Sequence, residues 1–557
     1  MNDYFDLGSY SRPITTASPE AQRWFDRGLI WCYGFNHEEA IRCFEKAIEA
    51  DSECAMAYWG IAYANGPFIN KPWEFYGPQE LIDSVAICYE TIQTAVALSH
   101  NGTSAEKALI QALTHRYPLA QVTTSEGLSA WDGAYADAMR TVYADFPDDF
   151  DVIALFAEAM MTRTPWKLWD VSQGVPAENA DTVEIMAVLE AGLQLIDEKA
   201  VEPHVGILHM YIHTMEMSPT PELALKAADG LRDLVPDGGH LLHMPSHIDV
   251  LCGNYYDALA VSYKAVAADA KYLAIVGPFS FYNAACCHDY HLLMYAAMFL
   301  GDYKAAMTAA QGIIDLLPDE VLRIDQPHLA STLEGYYSMA THIQVRFGKW
   351  AEIIAAPLPE DPQLHLVTTA MMHYAKGVAH AATGNVDEAI RSQEQFEIAC
   401  QTIPDTRRFF NNKAIDVLAV GRAMLKGELA YRQGHYDEAF EQLRHAVYLD
   451  DNLFYTEPWA WMHPPRHALG ALLLEQNHIA EAEQVYCADL GFDHTLNRPS
   501  QHPNNVWSLH GYAECLRRQN KQEALAIIQP SLNLAMARAD VEIKASCCCR
   551  QTHHCCD

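Results

Sequence analysis

The sequence is short of positive charge: 37 Lys and Arg stand against 72 Asp and Glu, a formal net charge of −35 over 557 residues. Nucleic acid and anionic membrane surfaces both bind through Lys and Arg, so neither is expected as a partner. No apolar run approaches the roughly eighteen residues of a membrane-spanning helix. The opening MNDYFDLGSYSRPITT has neither the basic nor the apolar stretch of a secretory leader. The expected location is therefore the cytoplasm, with the 15 cysteines as reduced thiols. Period-2 alternation is nearly missing, which excludes a substantial sheet. A P-loop, a dinucleotide-binding glycine motif, a GxSxG elbow and an HExxH zincin motif are all missing, and the chemistries they carry go with them. With 50% hydrophobic and 20% charged residues, disorder is excluded too.

What is present is a helical repeat. In AQRWFDRGLIWCYGFNHEEAIRCFEKAIEADSEC (21–54), Trp24, Gly28, Trp31, Ala40, Phe44 and Ala47 have the spacing of a tetratricopeptide (TPR) helix pair. Small residues let two helices cross closely and aromatic residues fill the space between them. The register recurs at Ala258 and Ala265, Ala306, Ala389, Gly427 and Ala439, Gly470 and Ala482, and Gly511 and Ala524. The expected fold is all-α, a TPR-like α-solenoid of stacked antiparallel helix pairs with loop insertions. Its expected divisions are N-terminal repeats over 1–67, a helical region with insertions over 68–200, histidine-rich repeats over 201–320, C-terminal repeats over 321–546 and a mobile Cys/His-rich tail over 547–557. The insertions are candidates for a cap over the concave face, with Trp73, Trp166 and Trp169 read as loop anchors.

The 26 histidines are concentrated. HVGILHMYIHTME sets His209, His213 and Glu216 on one helical face, GHLLHMPSHID does the same for His240, His243 and His247, and CHDYHLLMY for His288, His291 and Tyr295. Ala224 and Ala258 fill the same small slot 34 residues apart, which makes these the first helices of consecutive repeats. Their groove-facing slots hold seven histidines in twelve positions, where the chain average gives about 0.6 (12 × 26/557). His204, just upstream, is a further candidate ligand, and Pro245 is expected to kink or restart its helix. His373, His380, His463 and His467 read as ordinary helical histidines.

The strings GHLLHMPSHI, HVGILHMYIHTME and CHDYHLLMY also carry a resemblance to a family of TPR-like proteins of bacteria and fungi. PWKLWD, EPWAWMHPPRHALGALLL, NNVWSLHGYAECL and ARADVEIKAS extend it over roughly residues 18–546. The resemblance implies the repeat fold and the histidine cluster and names no reaction. The chain departs from the family at Cys287, where a proline is expected, and in the tail beyond Ser546.

Imidazole is the commonest protein ligand of copper, iron and zinc. Seven imidazoles with Glu216 exceed the needs of one ion and suit two, or one with a supporting shell. The leading expectation is a metal-dependent oxidoreductase with a mono- or dinuclear site on the concave face. Copper or iron is favoured, zinc is possible, and dioxygen oxidises a small-molecule substrate. Glu216 and Tyr295 are its candidate catalytic residues, with Tyr211 and Tyr282 as further contacts. The alternatives are a zinc-dependent hydrolase using Glu216 as base, a non-enzymatic scaffold gripping a protein partner in the TPR groove, and a metal store drawing on the Cys-rich tail.

Overall fold

The computed structural model describes residues 4–550. The chain forms two compact units: Met1–Ile248 with Lys264–Cys286 and Asp325–His328, and Asp249–Tyr263 with Cys287–Ile324 and Leu329–Asp557. The first contains α1 (Pro19–Tyr33), α2 (His37–Ala50), α3 (Ala55–Asn65), α4 (Pro78–Leu98), α5 (Ser104–Leu113), α6 (Ser129–Asp145), α7 (Phe150–Met161), α8 (Thr182–Lys199), α9 (Val205–Glu216), α10 (Leu225–Leu231) and α11 (Gly239–His243). Helices that contribute residues to both units include α12 (Pro245–Leu251), α13 (Tyr255–Val276) and α14 (Asn283–Leu300). The second unit continues with α15 (Tyr303–Leu316), α16 (Asp319–Leu322), α17 (Pro327–Ser338), α18 (Ala340–Arg346), α19 (Trp350–Ala355), α20 (Leu366–Ala382), α21 (Val386–Thr402), α22 (Ala414–Arg432), α23 (Tyr436–Asp451), α24 (Pro465–Glu475), α25 (Ile479–Leu490), α26 (Val506–Arg518) and α27 (Gln522–Arg538). Strands among the described residues are two-residue ladders, such as Trp169–Asp170 with Val175–Pro176.

Each unit is an all-α, TPR-like stack in which consecutive helices pack on one another. The repeat works through glycine. The Phe44 ring of α2 wedges between Gly28 of α1 and Gly60 of α3, where a Cβ on either glycine would lie 2.6 Å from the ring. Tyr486 of α25 is held the same way between Gly470 and Gly511, with Cβ approaches of 2.4 and 2.3 Å. Residues 68–200 continue the stack, since α4 packs on α3 and α5, and α8 on α7 and α9. Their loops are pinned by tryptophan: Trp73 is buried, and Trp169 Nε1 donates to the Thr214 carbonyl at 2.7 Å.

By length and composition alone, Pro78–Asn101 could cross a membrane, a stretch the reading of apolar runs passed over. Its buried residues, Leu81, Val85, Cys88, Ile92 and Ala95, recur every three or four positions, while Asp83 and Glu90 are exposed. That is the pattern of an amphipathic helix with one face in a stack.

The second unit has a polar core. The Asp489 carboxylate accepts from His467 Nε2 at 3.0 Å, His502 Nδ1 at 2.8 Å, Asn505 Nδ2 at 2.9 Å and Ser508 Oγ at 2.6 Å. Arg346 donates to His467 Nδ1 at 2.8 Å, lies 3.9 Å over the Trp507 ring and binds the Ser546 carbonyl. The tail is therefore docked, not free, as far as Arg550, whose guanidinium pairs with Glu514 at 2.7 and 3.0 Å. The Cys547 and Cys549 side chains lie side by side there. Residues 551–557 lie outside the described residues.

Two outcomes follow from this packing. Gly28→Ala pushes a methyl into the Phe44 ring and should cost about 1–3 kcal/mol in urea unfolding. Gly133→Ala, whose Cβ meets only Arg163 Nε at 4.0 Å, should be neutral or stabilising by up to about 1 kcal/mol. Burial lowers His342 from 6.5 to about 3. The unfolded chain then takes up a proton that the folded state refuses, so stability falls as pH drops from 6.5 toward 3. His342→Phe should flatten that slope by up to about 1.4 kcal/mol per pH unit, read from unfolding midpoints across the range.

Candidate metal centre

Helix α9 carries the first histidines through the interior of the first unit, and all twelve of its residues are buried. It enters the stack at Gly206, where a Cβ would lie 2.7 Å from the Tyr33 ring and 3.0 Å from Ala154 Cβ. His204 is its N-cap. His204 Nδ1 accepts from the Ile207 N–H at 3.3 Å, and Nε2 faces Asp151 Oδ1 at 3.2 Å and the Tyr10 hydroxyl at 3.3 Å. Both ring nitrogens thus seat the helix, and His204 stands apart from the cluster.

The second histidine string is divided by Pro245 into α11 and α12, as a proline inside a helix requires. Its start is fixed by Gly239, where a Cβ would fall 1.9 Å from Asp269 Oδ1. Asp269 in turn accepts from the Tyr282 hydroxyl at 3.1 Å, and that hydroxyl receives the His240 N–H at 3.3 Å.

The two strings bring His209, His213 and His240 together, with one ring nitrogen of each within 4.8 Å of the others. Hydrogen bonds fix the tautomers of His209 and His213. His209 Nδ1 faces the Tyr33 carbonyl at 2.5 Å, an acceptor, so Nδ1 carries the hydrogen. Glu216 takes the Nδ1–H of His213 on one oxygen at 2.7 Å and that of His247 on the other at 2.6 Å. The neutral rings therefore carry their lone pairs on Nε2. On His209 and His213 that nitrogen is buried and has no hydrogen-bond partner. His243 and His247 meet Nε2 to Nε2 at 2.7 Å. With the His247 hydrogen on Nδ1, this approach is held by a hydrogen on His243 or by a cation shared by both rings.

The surroundings favour the neutral form of His209, His240 and His247. Burial, then the neighbouring His213 and His240 rings, push His209 well below its ordinary value. Burial, then His213 and His247, do the same to His240. Burial also lowers His247, against the pull of Glu216. Burial alone would raise the Glu216 carboxyl, but His247 and His213 hold it below the usual carboxylate range. The result is three neutral imidazoles and an ionised carboxylate behind two of the five rings, a donor set that suits zinc, copper or iron.

The cluster is interior: His209, His213, His240, His243 and His247 are at most 2% exposed. The expected open concave face is replaced by a closed site. His288, His291 and Tyr295 lie on α14 in the second unit. There His291 is buried with both ring nitrogens lacking hydrogen-bond partners, 5.5 Å from the Tyr336 and Phe410 rings. Tyr295 packs 4.6 Å from Phe299. Tyr211 points elsewhere, its hydroxyl donating to Glu190 at 3.3 Å.

Two contributors were not visible in the histidine spacing. One is the Tyr33 carbonyl, a backbone acceptor. The other is Phe35, whose ring lies 4.5 Å from His209, 5.7 Å from His213 and 5.5 Å from His240. Phe35 has φ 57°, left-handed backbone that costs an L-residue about 1–2 kcal/mol. The available signal was an aromatic residue, where glycine or asparagine is at ease, in the turn between two repeat helices.

Residues 35–54 match the tetratricopeptide repeat family. No characterised protein sequence matches the chain. Similar solved structures include the APC/C hetero-tetramer Cut9-Hcn1, at 11% identity over 86% of this chain and 74% of that one, TM-score 0.32. The human IFIT1 dimer with m7Gppp-AAAA matches at 12% identity over 94% and 91%, TM-score 0.31. Yeast Tom70 matches at 10% identity over 93% and 97%, TM-score 0.27. At these levels the likenesses carry no argument about function.

The Glu216 bridge has a metal-independent consequence. In chelator-treated protein, Glu216→Gln should cost about 1–3 kcal/mol in urea unfolding, since an amide cannot accept both Nδ1 hydrogens. His213→Gln should cost a similar amount, and the double variant less than the sum of the two. Strict additivity would contradict the bridge.

Proposed function

We propose that the chain is a metal-dependent enzyme in which His209, His213 and His240 hold a transition metal, copper or iron before zinc, and that it oxidises a small molecule with dioxygen. The observation that carries the reading is the pair of buried Nε2 lone pairs on His209 and His213, each aimed by a fixed Nδ1–H and left without a partner. Two desolvated acceptors without donors are costly unless a ligand meets them.

A bound ion of this kind supplies Lewis acidity and, as copper or iron, one-electron redox chemistry. The chain supplies the rest. Three protein ligands leave positions open for a reactant, which distinguishes a catalytic from a structural site. The Tyr33 carbonyl and Glu216 hold the imidazoles in the ligating tautomer. Phe35 covers the three rings with apolar surface and excludes water from them. His243 and His247, one turn apart with Nε2 atoms 2.7 Å from each other, are the place for a second ion.

The geometry favours oxidation over hydrolysis. A hydrolytic base needs a carboxylate oxygen directed at a water, and both Glu216 oxygens are engaged by imidazole N–H groups. A scaffold that only grips a protein partner leaves the unpartnered Nε2 atoms of His209 and His213 without a role.

Plasma mass spectrometry on untagged protein tests the proposal. One or two equivalents of copper or iron are expected, falling by at least one equivalent in a His209→Gln/His213→Gln variant with an unchanged circular dichroism spectrum. Zinc alone would redirect the reading to hydrolysis. No metal after reconstitution, or full metal in the variant, would overturn it.

A further inference from the structure

A cleft of about 140 Å3 opens in the first unit beside the histidines. Phe35 is the shared wall: it lines the cleft while its ring lies against His209, His213 and His240. Phe68 continues the wall, 5.2 Å from Phe35 and stacked at 4.0 Å on the His37 ring. An engineered cavity of about 150 Å3 holds one benzene, so this volume suits a single aromatic ring.

Three polar side chains of the cleft come from the start of α2, and two of them hold a buried atom without a hydrogen-bond partner. Asn36 is fully buried. Its Oδ1 caps α2 by accepting the Glu39 N–H at 3.1 Å, which fixes the amide orientation and leaves Nδ2 as a buried donor without a partner. Glu38 Oε1 accepts the Phe281 N–H at 3.1 Å, while Oε2 is a buried acceptor without a partner. His37 Nδ1 faces the Ala64 carbonyl at 3.0 Å and carries the hydrogen, so Nε2 is an acceptor. Lys71 is neutralised within the cleft by Glu80 at 2.5 Å, with its ammonium over the Tyr76 and Phe281 rings.

We infer that this cleft takes a phenol, its ring against the wall formed by Phe35 and Phe68 and its hydroxyl between the Glu38 and His37 acceptors and the Asn36 donor. A hydroxyl donates and accepts, so it meets both kinds of orphan group. An aromatic carboxylate would face Glu38 with no uncompensated cation to offset it. An aromatic ammonium would meet Glu38 and leave Asn36 without an acceptor. As a substrate pocket, the cleft rests on the metal-dependent reading of the adjoining histidines; as a binding site it does not.

The test is titration calorimetry of the full chain with phenol, benzoate and benzylamine, metal-loaded and chelated, with metal content measured on the same samples. One phenol should bind per chain, at least tenfold more tightly than benzoate or benzylamine. Glu38→Gln keeps the Phe281 contact, removes the acceptor and should weaken phenol about tenfold. Ile41→Trp fills the half-buried rim of the cleft and should abolish binding with metal content unchanged. Benzoate or benzylamine binding as tightly as phenol, or phenol binding unaltered in both variants, would overturn the inference. Normal metal content without phenol binding removes the cleft assignment alone. Phenol binding in a protein that takes up no metal keeps the binding site and removes the metal-dependent reading.

Discussion

The first unit depends on one constraint: imidazoles buried beyond the reach of water, each needing a partner at two nitrogens. Water would satisfy both at a surface, but here the protein supplies acceptors for Nδ1 only. The Tyr33 carbonyl serves His209, and the two oxygens of Glu216 serve His213 and His247. The lone pairs are thereby turned toward one another, and their mutual proximity adds to burial in keeping the rings uncharged. A donor set so arranged is costly by itself and would be favourable around a cation, so a bound ion would stabilise the fold of this unit.

The stack makes that burial achievable. Phe44 between Gly28 and Gly60 sets how closely α1, α2 and α3 approach, and Gly206 lets α9 lie against Tyr33. Gly239 makes room for the Asp269 carboxylate at the start of α11, so the His240 backbone is held through Tyr282. Phe35, in left-handed backbone between α1 and α2, faces the imidazoles and also lines the cleft outside them. The same repeat geometry in the second unit encloses a satisfied network around Asp489, where each imidazole bound to the carboxylate has its partner.

The repeat and the first cluster were legible because both are periodic. Gly28, Phe44 and Gly470 recur at helical-repeat spacing, and His209, His213 and Glu216 share one face of a helix. Other features were not periodic and could not be read. The Tyr33 acceptor is backbone and has no sequence signature. Asp489 gathers His467 and His502 from separate helices and loops, so His467, read as an ordinary helical histidine, is part of a buried network. His204 looked like a ligand because it precedes the cluster, but an N-cap histidine obeys local rules: it bonds the Ile207 amide and a nearby carboxylate. The burial of the site also escaped the pattern, because groove-facing slots are exposed only where no neighbouring segment fills the groove.

The central claim is that a metal sits on imidazole nitrogens aimed by Tyr33 and Glu216. X-ray absorption at the metal edge of the loaded protein tests it most directly. The account predicts a first shell of nitrogen at about 2.0–2.1 Å for zinc, close to that for copper, with the outer-shell scattering of at least three imidazole rings. A first shell dominated by sulfur would place the metal on the cysteines of the tail, and a shell without imidazole scattering would contradict the account altogether.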